Sequence, residues 1–147
     1  MLGDAVPASP ASPLATGGLS QSRGVAGLTA FAERLPGWSL REDFPTLARY
    51  GSACIEAFGT GGGNFRNLYA GFLDSAHRRL PDLVGSQEVE AMRKSAASWT
   101  ELSRQLAAAG TAAASERPTL IAAAQATVRG TAQLESSIFE KLSLATA

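Results

Sequence analysis

The spacing of apolar residues constrains this fold more than any other feature. Over five successive stretches between about residues 22 and 142 they return at every third or fourth position. That period lines one face of an α-helix; a half-buried strand would alternate at every second residue. Residues 64–80 show it most clearly, with Phe65, Leu68, Tyr69, Phe72, Leu73 and Ala76 on one predicted apolar face. Residues 22–35 carry Val25, Leu28, Phe31, Ala32 and Leu35, and a stretch opened by Asp43 carries Leu47, Tyr50, Cys54 and Phe58. Residues 87–109 carry Val89, Met92, Ala96, Trp99, Leu102 and Leu106. The last stretch, from Pro118 to about residue 142, carries Ile121, Ala124, Val128, Leu134, Ile138 and Leu142.

Local signals set the expected boundaries. Pro36-Gly37 predicts the end of the first helix, with Trp38 anchoring the following loop on the core. Asp43 is a candidate N-cap, with Pro45 tolerated in the first turn behind it. Gly59 and Gly110 predict the ends of the second and fourth helices, and Ser86 a cap for the fourth. Gly130 inside the fifth helix costs about 1 kcal/mol against alanine and predicts a close helix crossing or a bend. Abundant alanine and few β-branched residues favour helix throughout. No stretch reads as a strand. The expected fold is all-α: a five-helix bundle with a glycine-rich loop between the second and third helices.

Residues 1–19 are rich in Pro, Ala, Ser and Gly and have too little apolar surface to offset ordering. They read as a flexible tail or linker, with residues 20–147 as the helical domain, and such a linker implies that something precedes it. Thirteen basic and thirteen acidic residues cancel, leaving no general attraction to nucleic acid or to an anionic membrane. One cysteine cannot form an internal disulfide. No apolar run is long enough to span a bilayer and no signal-peptide pattern opens the chain, so the cytoplasm is expected by elimination.

The segment with most chemical interest is GTGGGNFR: Gly59, Thr60, Gly61, Gly62, Gly63, Asn64, Phe65 and Arg66. A plain turn needs one or two glycines; four in five residues imply a shape requirement. The loop opens directly into a helix whose first amides lack intrahelical partners, and Arg66 would add a charge-assisted donor for an anion. It lacks the Lys-Ser/Thr of a P-loop and the strand that precedes a dinucleotide fingerprint. A tight helix–loop–helix corner and a ligand-facing loop both remain open. Elsewhere, Cys54 on an apolar stripe reads as an inert thiol and His77 as an exposed last-turn residue. With a single histidine a multi-histidine metal site is excluded. Asp74, Glu135 and Glu140 are candidate functional carboxylates, although solvated helix faces are the commoner explanation, and Trp99 reads as core. No Ser-His-Asp or Cys-His pair assembles from the sequence.

The run IEAFGTGGGNFRNLYAGFLDSA, residues 55–76, resembles the C-terminal helical region of butirosin biosynthesis protein H-like proteins. The shared pattern is a helix, a GTGG-type loop at Gly59 to Gly62, then Phe65-Arg66, Tyr69, Phe72-Leu73, an acidic residue at Asp74 and Ala76. Asp74 stands where the pattern more often has glutamate. GLTAFAERLPGW, residues 27–38, is similar to the stretch before it, so the resemblance covers roughly residues 19–142.

The resemblance implies an acyltransferase context, in which an aminoacyl group moves from an acyl carrier protein's phosphopantetheine thioester to an amine. A cysteine-containing catalytic half, absent from this chain, would supply the nucleophile, and Cys54 does not match its setting. Gly59, Thr60, Gly61, Gly62 and Gly63 would then shape a groove, and Arg66 and Tyr69 would orient the donor. No cofactor is implied beyond contact with that phosphopantetheine; the partners implied are the catalytic half and the carrier protein. The alternatives are a non-catalytic helical interaction module and, last, a stand-alone enzyme using Cys54.

Overall fold

The computed structural model describes residues 24–58 and 61–144. Gly59, Thr60 and the tail read at residues 1–19 lie outside the described residues. Five helices make up the fold: α1 Gly24–Trp38, α2 Phe44–Glu56, α3 Gly63–Arg79, α4 Ser86–Thr111 and α5 Arg117–Leu144. No strand occurs among the described residues. This is the all-α bundle that the periodicity predicts.

α4 and α5, the two longest helices, pack on each other along the centre. α2 and α3 both pack on α4 and barely meet each other, while α1 packs on α5. The apolar interior divides in two. Leu35, Phe44, Leu106 and Val128 belong to a larger cluster drawn from α1, α2, α4 and α5. Ala70, Leu73, Val89, Met92 and Ile138 form a smaller one among α3, α4 and α5. No described helix is long and apolar enough to cross a membrane.

Several local expectations need correcting. Pro36-Gly37 does not end α1, which runs on to Trp38. A proline inside a helix frees the carbonyl four residues earlier. Here that carbonyl belongs to Ala32, and it accepts a hydrogen bond from Gln125 Nε2 of α5 at 2.8 Å, so the last turn survives. Asp43 occupies the N-cap position of α2 without capping it; its carboxylate accepts both Arg41 Nε and Nη2, at 2.7 and 2.8 Å. Gly110 lies within α4, where its missing side chain lets the backbone approach Pro45 of α2. Gly130 is exposed with open space beside it, so it makes no close crossing among the described residues.

The larger correction concerns which faces are buried. On α2 the predicted stripe turns outward at Tyr50 and Phe58, and Phe44, Ala48 and Ile55 are buried instead. On α3 only Ala70, Leu73 and Gly63 are buried, whereas Phe65, Leu68 and Phe72 are 52%, 71% and 63% exposed. Periodicity marks an apolar face without saying that this chain covers it. α3 turns Gly63, Ala70 and Leu73 inward and leaves its aromatic side chains to solvent.

Candidate functional site

Between the two apolar clusters lies a buried carboxylate. Glu135 occupies a position on α5 in register with Val128, Ala132 and Ile138, and it is 2% exposed. It is held from three sides. Arg66 of α3 forks onto it, Nε to Oε1 at 2.9 Å and Nη2 to Oε2 at 3.0 Å. Ser95 Oγ and Trp99 Nε1, one turn apart on α4, donate to Oε1 at 2.6 and 2.8 Å. The Arg66 guanidinium also lies over the Trp99 ring, 4.8 Å from its centroid. One carboxylate thus ties α3, α4 and α5 together. Burial pushes its pKa upward; the hydrogen bonds from Arg66, Ser95 and Trp99, with the Arg66 charge, outweigh it and leave Glu135 below the ordinary carboxylate value.

A folded-state pKa below the unfolded one supplies stability above the unfolded value, roughly pH 4.3, that is lost as pH falls through the folded value. The urea midpoint should therefore hold from neutral pH down to about pH 5 and then drop. Glu135→Gln should flatten that acid limb; an unchanged limb would place the acid sensitivity elsewhere.

The glycine loop packs against this centre. Gly61 has φ +99°, and a side chain there would come within 3.2 Å of Arg66 Nη1. Gly62 lies against the end of α2, so close that a Cβ would fall 2.0 Å from the Ile55 carbonyl oxygen. Gly63 is enclosed by Thr100, Ala96 and Glu56, with Thr100 Oγ1 2.5 Å from where its Cβ would be. Asn64 Nδ2 donates to the Glu56 carbonyl at 3.1 Å, and Thr100 Oγ1 donates to Glu56 Oε1, also at 3.1 Å. The three described glycines are therefore demanded by the α2–α3 corner itself.

Two openings flank Arg66. One, of about 350 Å³, is lined by Val25, Leu28, Gly61, Trp99, Glu135 and Phe139 with Arg66 itself. The other, of about 340 Å³, is walled by Phe65, Tyr69 and Phe139 over Met92. Tyr69 stacks on Phe72 at 5.8 Å and lies 6.5 Å from Phe139. The fold thus brings Gly61, Arg66 and Tyr69 into one neighbourhood and leaves Gly62 and Gly63 buried behind it.

The remaining candidates lie apart. His77 is half-buried rather than exposed, and donates from Nδ1 to the Val84 carbonyl at 2.6 Å. It sits about 20 Å along α3 from Gly63, the end that meets α2, so α3 does not bring it to Cys54. Cys54 is half-buried beside Tyr50, whose phenol it raises above the usual range. Asp74 is ion-paired with Arg78 and lies 3.8 Å from Arg93; Glu140 accepts from Ser136 at 2.9 Å. No group of three or more His, Cys, Asp or Glu among the described residues is arranged to hold a metal.

Sequence reasoning missed Ser95, and it favoured a solvated face for Glu135, which is buried. The available signal was a charged residue in register with the apolar seam of α5, matched by a serine and a tryptophan at i and i+4 on α4.

No curated protein and no solved structure matches this chain. A family match spans residues 7–142, taking in part of the stretch that composition reads as a tail, and with it nearly the whole helical bundle. The chain belongs to the family described as Domain of unknown function (DUF4872).

Proposed function

We propose that this chain is the helical, substrate-shaping domain of a cytoplasmic butirosin-protein-H-like acyltransferase in natural-product biosynthesis, working beside a cysteine-containing catalytic half. The observation that carries the reading is the convergence of Gly61, Arg66 and Tyr69 around openings with aromatic walls. These are residues that the resemblance implies for donor binding. The Arg66 atoms Nε and Nη2 are engaged by Glu135, which fixes the plane of the guanidinium. Nη1 then remains to meet an oxygen of a phosphopantetheine or its acyl group, while Tyr69 and Phe139 cover the apolar part.

Chemical-shift mapping with acylated phosphopantetheine tests this. Resonances of Tyr69, Phe139 and the Trp99 indole should move, and Tyr69→Ala should weaken binding about tenfold, the upper end for a lost aromatic contact. Shifts confined to other surfaces would sink the reading. Thioester turnover by the chain alone is not expected, and Cys54→Ser should alter neither binding nor fold. Turnover that Cys54→Ser abolished would favour a stand-alone enzyme instead. The interaction-module alternative is favoured by the exposed apolar side chains of α3.

A further inference from the structure

α3 carries two unusual features side by side. Its outer face is large and apolar: Phe65, Leu68 and Phe72 are each more than half exposed. An uncovered apolar face of this kind marks an interaction surface. Next to it, in mid-helix, is Gly71, where a Cβ would meet nothing within 4 Å. A mid-helix glycine costs stability relative to alanine, and nothing among the described residues requires one here. Gly130 of α5 is equally open, but its exposed neighbours are Ala126, Arg129 and Gln133, with no apolar face beside it.

We infer that this face pairs with α3 of a second copy, antiparallel about a two-fold axis near Gly71 and Phe72. An isologous contact needs a surface complementary to itself. A bulky ring adjacent to a notch on one helix meets that need: Phe72 of each copy packs over Gly71 of the other. Leu68 then lies opposite Ser75, a small residue that admits close approach. Charge selects the orientation. The Arg66 charge is turned inward to Glu135, and Asp74 is half-buried and paired. Arg78 is the partner of Asp74, so what remains is positive and terminal, at Arg79. Parallel packing would set these basic ends together, whereas the antiparallel pair holds the two Arg79 residues about 22 Å apart along the axis. Each helix dipole also runs beside its opposite. This pairing does not depend on the acyltransferase reading.

Sedimentation velocity on the full chain across a dilution series should show a reversible monomer–dimer equilibrium. Leu68→Glu and Phe72→Glu change exposed positions, so the helical circular-dichroism spectrum should persist while dimerisation weakens roughly 100-fold or more. Gly71→Leu should act with opposite signs, raising the melting temperature of the dilute monomer through helix propensity while weakening the dimer. On a Cys54→Ser background, Gly71→Cys should give a covalent dimer on oxidation, and Tyr50→Cys, on another helix, should not. A chain monomeric at every concentration, or a dimer indifferent to Leu68→Glu and Phe72→Glu, would overturn the inference. Donor binding by the Leu68→Glu monomer tests the proposed function separately.

Discussion

Glu135→Ala should destabilise the fold by about 3–5 kcal/mol, the loss seen when one member of a buried ion pair is removed. The substitution leaves Arg66 without its counter-charge and strands the hydroxyl of Ser95 and the indole N–H of Trp99 in an interior with no other acceptor shown for them. Each unsatisfied group carries its own desolvation cost. Glu135→Gln keeps the shape and one acceptor oxygen, so it should cost less, about 1.5–3 kcal/mol for the lost charge-assisted bonds. Urea unfolding followed by circular dichroism measures both. A Glu135→Ala loss below about 1 kcal/mol would mean that the network contributes no more than an exposed ion pair does.

Gly62→Ala should be nearly as damaging, at about 3 kcal/mol, the upper end for forcing an atom into a packed interior. Its Cβ would meet the Ile55 backbone carbonyl at 2.0 Å and the Ile55 carbonyl carbon and Cγ2 at 2.8 Å. A flexible side chain can swing aside; the end of a helix cannot, so α2 and α3 would have to part. Gly61→Ala, by contrast, has room apart from Arg66 Nη1 and suffers mainly from its φ of +99°. It should cost about 1–3 kcal/mol. Melting temperatures that ranked Gly61→Ala as the worse of the two would show that conformation, not close approach, governs the corner.

The helices were legible because their period survives in the sequence at every scale. Their number, order and approximate extent follow from it, and so does the place of a glycine-rich loop between α2 and α3. The inward face was not legible on α2 and α3. Hydrophobic spacing selects a face of Tyr50 and Phe58, or of Phe65, Leu68 and Phe72, but the neighbouring helix takes the face of Phe44, Ala48 and Ile55 on α2 and of Ala70 and Leu73 on α3. Both faces of each helix carry apolar residues, and which of them is covered is set by the helix that packs on it, which periodicity does not record. Glu135 was illegible for a related reason. A glutamate on a helix is solvated unless donors meet it, and those donors come from α3 and α4, 69, 40 and 36 residues away along the chain. Leu134, beside it, looked like the better seam residue and is only half-buried.

The docking of α1 on α5 has a consequence for how the chain emerges from the ribosome. α1 is made first, yet the helix that covers it is made last; the Ala32–Gln125 bond spans 93 residues. Until α5 is synthesised, Leu28, Ala32 and Leu35 have no permanent cover, and the Ala32 carbonyl freed by Pro36 has no permanent donor. At about 5–20 residues per second that interval lasts roughly 5–20 s. α2, α3 and α4 can begin to associate during it, since both shorter helices rest on α4. The first helix is thus the last to find its place, and the nascent chain carries an unsealed apolar edge until α5 emerges.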